Sequence, residues 1–110
     1  MTFRSPNPSG MDEIRAAIDD LDRRIAPLLA ERVAWVRSAA AFKPTREAVV
    51  VPWRIEDVVA KAAAHAAAAG ADPAPIAAIY RALVDVSIGE EAKAWDALHP
   101  GAADGDAVDP

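Results

Sequence analysis

Apolar residues recur at steps of three and four along the first third of this chain, which is the spacing of one face of an amphipathic helix. The members of this stripe are Ile14, Ile18, Leu21, Ile25, Leu28, Trp35 and Val36. The pattern predicts a helix from position 11 or 12 to position 42 or 43, just before Pro44. Such a helix is about 45 Å long. Two short helices of the same small chain cannot cover it, so a second copy is expected to do so.

Two shorter helices are predicted after a connection over residues 44–52. One runs from about 53 to 69, and the other runs from 73 to 95 or 98. Gly70 suits the position after a helix end, Asp72 suits an N-cap, and Pro73 suits the first helical position. The three valines at 49–51 are predicted to form a loop packed over a pocket rather than a short strand.

These elements predict an all-α fold in which a long first helix and two shorter helices form a helical homodimer. The helical domain is expected over residues 11–98. Residues 1–10 are polar and contain proline, so they are predicted to be a flexible leader. Residues 99–110 contain glycine, proline and acids without periodicity, so they are predicted to be a mobile acidic tail.

One arginine occupies a place in the first apolar stripe where a helix bundle needs an apolar side chain. Arg32 lies seven residues after Ile25 and takes the next position of the stripe. A charge at such a position is costly unless something pairs with it. Because no nearby acid in the same stripe does so, an anionic ligand is the predicted partner of Arg32.

Helix geometry relates two further cations to Arg32. Lys43 lies eleven residues later, a rotation of only about 20°, so both side chains are expected to point the same way. Arg15 lies seventeen residues earlier, a rotation of roughly 100°. In one straight helix Arg15 therefore does not easily share a pocket with Arg32, but it could reach a pocket made by a partner chain.

Three polar residues of the later helices complete the set of candidates. Arg54 opens the second helix, where the helix dipole disfavours a cation, and a bound anion would explain its placement. Ser87 and Glu91 lie four residues apart on the apolar side of the third helix. Each residue alone also has a structural explanation, such as an arginine that extends its head to water. Their joint placement suits a small dianion with a polar centre.

Composition narrows the class of function. A net charge of −5 argues against a general nucleic-acid binder, which needs a basic surface. The absence of cysteine excludes disulfides and thiol catalysis, and two histidines are too few for a histidine-rich metal site. The N-terminus lacks the apolar segment of a signal peptide, and no apolar run is long enough to span a bilayer. A cytoplasmic, soluble protein is expected.

The ordered set of motifs resembles the all-α class of chorismate mutases. The segments that carry the resemblance are 14–22, 28–32, Phe42-Lys43, Arg54, 70–73 and 87–91, within roughly residues 12–95. The resemblance implies an intertwined homodimer of three-helix chains with two equivalent sites. It also implies an intramolecular pericyclic rearrangement of chorismate to prephenate, a reaction that needs no cofactor and no metal.

The resemblance further implies a role for each candidate residue. Arg15 of one chain and Arg32 of the other would clamp the two carboxylates of chorismate by bidentate pairing. Lys43 and Glu91 would act as catalytic residues that face the ether oxygen whose bond breaks. The remaining substrate-binding residues would be Arg54 and Ser87.

Two departures from the family pattern change these expectations. Many bacterial members have glutamine at the position of Glu91, and a glutamate can donate a hydrogen bond only when protonated. We therefore expect activity to fall as the pH rises. Ile55 stands where typical mutases have a glutamate for the substrate hydroxyl, and valines occupy 49–51 where an aspartate is frequent. Ile55 and the eleven-residue spacing from Lys43 to Arg54 are similar to isochorismate pyruvate lyases, which share the fold and release salicylate and pyruvate.

The preferred hypothesis is a chorismate mutase of aromatic amino acid biosynthesis. An isochorismate pyruvate lyase of salicylate biosynthesis, acting in the same site, is the first alternative. A mutase for an amino-substituted chorismate is a further alternative. A non-catalytic helical dimer, such as an effector-binding regulatory domain or a degenerate paralogue, is the alternative from a different class of protein.

Overall fold

The chain consists of three α-helices, with two short 3-10 helices between the first and the second, in a computed structural model that describes residues 4–102. The elements are α1 (Met11–Ser38), a first 3-10 helix (Ala39–Phe42), a second 3-10 helix (Glu47–Val49), α2 (Pro52–Ala68) and α3 (Pro73–Leu98). Within residues 4–102 there is no β-strand. The predicted all-α fold class is therefore confirmed, and the three valines lie in a 3-10 turn and a loop rather than in a strand.

The first α-helix ends earlier than the sequence predicts. It stops at Ser38, and the next four residues tighten into a 3-10 helix. Lys43 follows this turn with an extended backbone (φ −100°, ψ 129°). Pro44 accounts for this conformation because a proline disfavours α-helical geometry in the residue before it. The prediction that Lys43 lies on the same helix face as Arg32 is therefore wrong, although both side chains line one cavity.

The junction between α2 and α3 agrees with its predicted end signals. Gly70 adopts the positive φ of 84° that suits the residue after a helix end. The Asp72 side chain accepts a hydrogen bond from the Ala74 backbone N–H at 3.0 Å, as an N-cap does. Pro73 occupies the first turn of α3. The junction is short, and α2 and α3 share the most extensive contact of the fold.

The buried face of α3 organises the chain. It packs against α1, α2 and both 3-10 helices. Its buried residues are Val84, Ser87, Glu91, Ala92 and Trp95. Trp95 and Ala92 join Ala40 and Val49 in a small apolar cluster. Because two buried residues of this face are polar, the packing that builds the core also places the candidate site.

The apolar stripe of α1 is largely exposed in the single chain. No residue of α1 is buried, and the side chains of Ile18 and Leu28 are 50% and 64% exposed. The described part of the chain is correspondingly elongated, with extents of 65 × 28 × 22 Å. A contiguous apolar surface of this kind is typical of an interaction site. Among the described residues, none of the helices is long and apolar enough to cross a membrane.

The predicted leader and tail lie at the two ends of the described range. Residues 4–8 have no regular structure, and residues 1–3 lie outside the described part of the chain. The predicted tail begins at His99, whose ring stacks on Trp95 with ring centroids 3.9 Å apart. The rest of the predicted tail, from residue 103 to residue 110, also lies outside the described residues.

Candidate active site

A cavity of about 340 Å³ lies between the second half of α1, the start of α2, the middle of α3 and the connection after α1. Its volume is in the range of small-molecule binding sites. Five of the six predicted site residues line it, namely Arg32, Lys43, Arg54, Ser87 and Glu91. Residues that are far apart in the sequence therefore meet in one cavity.

Lys43 and Glu91 form an ion pair in the wall of this cavity. The Lys43 ammonium nitrogen lies 3.1 Å from Oε2 of Glu91, and the two side chains are 22% and 5% exposed. The same ammonium donates a hydrogen bond to the Ala48 carbonyl at 3.3 Å. Ala48, which directly precedes the three valines, thus helps to hold the Lys43 ammonium in position.

The buried carboxylate of Glu91 has unused hydrogen-bonding capacity. Its Oε2 contacts Lys43 as an ion pair without hydrogen-bond alignment, and it has no hydrogen-bond partner among the described residues. Buried polar atoms are nearly always hydrogen-bonded in folded proteins. Since Glu91 lines the cavity, a polar atom of a ligand is a suitable partner for this oxygen.

Arg32 brings a half-buried positive charge to the same cavity. Its guanidinium donates a hydrogen bond to Ser87 Oγ at 3.4 Å, and the hydroxyl of Ser87 donates to the Leu83 carbonyl at 2.8 Å. The guanidinium carbon also lies 5.7 Å from the centroid of the Tyr80 ring. Among residues 4–102, no carboxylate forms a salt bridge with Arg32, so its charge is available to an anionic ligand.

Arg54 has a partner that the sequence reasoning missed. Its guanidinium lies 2.6 Å from Oδ2 of Asp57, and the Lys61 ammonium lies 3.0 Å from the same oxygen. The hydrogen bonds from Lys61 and Arg54 lower the pKa of Asp57, which keeps this carboxyl charged. A bound anion is thus not required to explain Arg54. The spacing of three residues between Arg54 and Asp57 was the available signal.

Arg15 is the one predicted site residue outside the cavity lining. It is exposed in the first turns of α1, which is a continuous helix from Met11 to Ser38. The seventeen residues between Arg15 and Arg32 correspond to about 25 Å along the helix axis. Within one chain, α1 therefore holds these two guanidinium groups apart.

One wall of the cavity is apolar. It is formed by Val49, Val51, Ile55, Val58, Val84 and Ile88. Ile55 lies one residue after Arg54 and lines the cavity with an aliphatic side chain at the position where the resemblance anticipated a glutamate. The cavity thus combines cations and one carboxylate with an apolar surface that offers no hydrogen bond.

A smaller cavity of about 190 Å³ adjoins the first and shares Arg32, Arg54 and Val58 with it. Its further lining residues are Lys61, Ala62, His65 and Tyr80. Arg32 and Arg54 therefore lie between two compartments of one cleft. The contact between the Tyr80 ring and the Arg32 guanidinium was not predicted from the sequence.

Comparison with known proteins shows the family to which the chain belongs. The sequence pattern of the family described as chorismate mutase type II matches residues 14–92. Isochorismate pyruvate lyase of Pseudomonas aeruginosa (strain PAO1) is 29% identical to this chain over 87 residues, which cover 79% of this chain and 86% of that protein. The chain therefore belongs to the chorismate mutase type II family, as the resemblance implied.

Proposed function

We propose that this member of the chorismate mutase type II family is a chorismate mutase that rearranges chorismate to prephenate. The observation that carries the proposal is the meeting of Arg32, Lys43 and Glu91 in one cavity of small-molecule size. The substrate is a dianion with a central ether oxygen. The cavity offers it three cations, a carboxyl group and an apolar wall.

In the proposed mechanism the protein supplies no bond-forming group. The bond between the ether oxygen and the ring carbon breaks, while a carbon–carbon bond forms between the enolpyruvyl group and the ring. Arg32 binds one substrate carboxylate and thereby holds the reactive conformer. The Lys43 ammonium donates to the ether oxygen as negative charge develops on it. The cleft holds these donors in position before the reaction begins.

Glu91 contributes to this step only in its protonated form. In the structure Oε2 of Glu91 lies 3.1 Å from the Lys43 ammonium nitrogen. To donate a hydrogen bond to the ether oxygen, Glu91 must first take up a proton. The fraction of enzyme that carries this proton falls as the pH rises, so the activity is expected to fall in the same direction.

Replacing Glu91 by glutamine is expected to remove this pH dependence. The amide donates a hydrogen bond at every pH, so kcat/KM of Glu91→Gln should not show the fall with rising pH that is expected of the parent. The measurement is the pH profile of chorismate loss for both proteins. A Glu91→Gln profile that follows the parent profile would contradict the proposed role of Glu91.

We further propose that the active form is a homodimer in which Arg15 of one chain completes the site of the other. The exposed stripe of α1 supports this proposal, since fully burying one such Leu or Ile side chain is worth about 1.5–3 kcal/mol. The separation of Arg15 from Arg32 along α1 supports it as well. The partner's Arg15 would bind the second substrate carboxylate, opposite Arg32.

A mixed dimer tests the contribution of Arg15 across the interface. Arg15→Ala and Lys43→Met chains, each inactive alone, are co-expressed with different tags and isolated as heterodimers. One of the two sites then combines an intact Lys43 with the partner's intact Arg15, so about half of the parent activity per dimer is expected. Heterodimers as inactive as either homodimer would show that Arg15 does not act across the interface. Arg23→Ala, in the same exposed helix, is the control and should stay active.

Isochorismate pyruvate lyase activity is the second candidate, and the apolar wall favours it. The side chains of Val49, Val51 and Ile55 offer no hydrogen bond to the ring hydroxyl of chorismate at that wall. The related protein of Pseudomonas aeruginosa carries the name of this activity. The same cations would bind isochorismate, whose ether bond also breaks while pyruvate is released.

A further inference from the structure

Three buried residues of α3, spaced four apart, make polar contacts with other parts of the chain, and the first two line the cavity. Ser87 accepts a hydrogen bond from Arg32, and Glu91 pairs with the Lys43 ammonium. Trp95, the third, donates its indole N–H to the backbone carbonyl of Lys43 at 3.1 Å. Glu91 and Trp95 therefore hold the two ends of the same lysine, one at its side chain and the other at its backbone.

The backbone carbonyl of Lys43 needs a hydrogen-bond partner from another part of the chain. Lys43 directly follows a 3-10 helix and precedes Pro44, which has no N–H and holds the preceding residue extended. Carbonyls at a helix end lack partners inside the helix and must find them elsewhere. The indole N–H of Trp95 provides that partner for the Lys43 carbonyl.

Trp95 itself is firmly placed. It is 7% exposed and packs in the cluster with Ala40, Val49 and Ala92. Its ring also stacks against His99, with an angle of 17° between the ring planes. The N–H that reaches Lys43 thus belongs to one of the best-packed side chains of the fold.

We propose that Trp95 is a positioning residue that holds the Lys43 ammonium at the reacting atoms through the Lys43 backbone. The inference rests on the proposed role of Lys43 in catalysis. Without the indole N–H, the Lys43 carbonyl loses its hydrogen bond to α3. The Lys43 backbone is then less restrained, and the ammonium samples positions away from the ether oxygen. A displacement of about 1 Å at a catalytic group can cost up to about a hundredfold in rate.

The test removes the hydrogen bond while keeping the shape of the side chain. Trp95 is replaced by 3-benzothienylalanine, in which sulfur takes the place of the indole N–H, and by phenylalanine as a second variant. We expect kcat to fall about tenfold or more and KM to change by less than about twofold, because Lys43 acts mainly in the transition state. Trp53→Phe is the control, since Trp53 is exposed and lies outside the cavity lining.

A second readout does not depend on turnover. The chain has three lysines, Lys43, Lys61 and Lys93, and the last two are exposed. Limited acetylation with acetic anhydride, followed by mass spectrometry, gives the rate at Lys43 relative to the other two. We expect this relative rate to rise several-fold when the Trp95 N–H is absent and to stay unchanged in Trp53→Phe.

The two readouts separate failure of this inference from failure of the proposed function. If the protein consumes neither chorismate nor isochorismate, the acetylation rates still report whether Trp95 holds Lys43. Unchanged acetylation and unchanged kcat in the benzothienyl variant would overturn the inference. A fall in kcat that only parallels a loss of folded protein, with Lys43 as protected as in the parent, would overturn it as well.

Discussion

Replacing Arg32 by alanine is expected to lower kcat/KM for chorismate on the order of 10²–10³-fold. The reason is that its guanidinium is the half-buried cation of the cavity without a carboxylate partner among residues 4–102, so its charge is left for the substrate. Truncating one member of a buried, hydrogen-bonded charge pair costs about 2–5 kcal/mol, and each 1.36 kcal/mol is about tenfold in rate. The measurement is the initial rate of chorismate loss over a range of substrate concentrations.

The matched control for Arg32→Ala lies on the same helix. Arg37 is more exposed and contacts Glu90 rather than the cavity. Arg37→Ala should therefore keep kcat/KM within about twofold of the parent, as surface substitutions usually do. If Arg32→Ala were as active as Arg37→Ala, the cavity would not be the site of turnover. A non-catalytic helical dimer would then be the better interpretation.

Replacing Lys43 by methionine is expected to lower kcat on the order of 10²–10³-fold, with a smaller change in KM. Methionine keeps much of the length of the lysine but has no charge and no donor. Removing one preorganised donor that faces developing negative charge typically costs this much in kcat. Steady-state kinetics with chorismate separate the effects on kcat and KM, because an interaction made mainly in the transition state appears in kcat.

Lys43→Met also removes the charge partner of buried Glu91, so the stability of the variant must be measured beside its activity. Removing one partner of a buried ion pair can cost about 3–5 kcal/mol of stability, because the other charge is left without compensation. Rates are therefore compared per folded protein, after thermal unfolding of each variant. Lys93→Met is the control, since Lys93 is an exposed lysine that pairs with Glu90 and lines neither cavity. Equal rates for Lys43→Met and Lys93→Met would contradict the proposed role of the Lys43 ammonium.

The three helices and the role of Arg32 as a site cation could be predicted from the sequence for a simple physical reason. Helical periodicity over many residues is a strong signal, and Arg32 interrupts it at a position that must face the packed side. The same periodicity placed Ser87 and Glu91 on the buried face of α3, where the structure has them. These predictions depend on local geometry, which a single sequence contains.

The features that the sequence did not predict depend on tertiary contacts or on chain reversals. The 3-10 turn before Lys43 changes the direction of that side chain in a way that a regular helical wheel cannot describe. The hydrogen bond from Trp95 to the Lys43 carbonyl joins residues 52 positions apart. Asp57 beside Arg54 is a local pair, three residues apart on one helix, so helical spacing alone is enough to predict it.

The most direct test of the central claim is to incubate the purified protein with chorismate and, separately, with isochorismate, at about pH 5 and about pH 8. Chorismate loss is followed by absorbance and salicylate by fluorescence. We predict conversion of chorismate to prephenate that is faster at the lower pH. Salicylate formation from isochorismate as the dominant reaction would contradict the mutase proposal and make the protein a lyase. Loss of neither substrate at either pH would contradict a catalytic role for this cavity altogether.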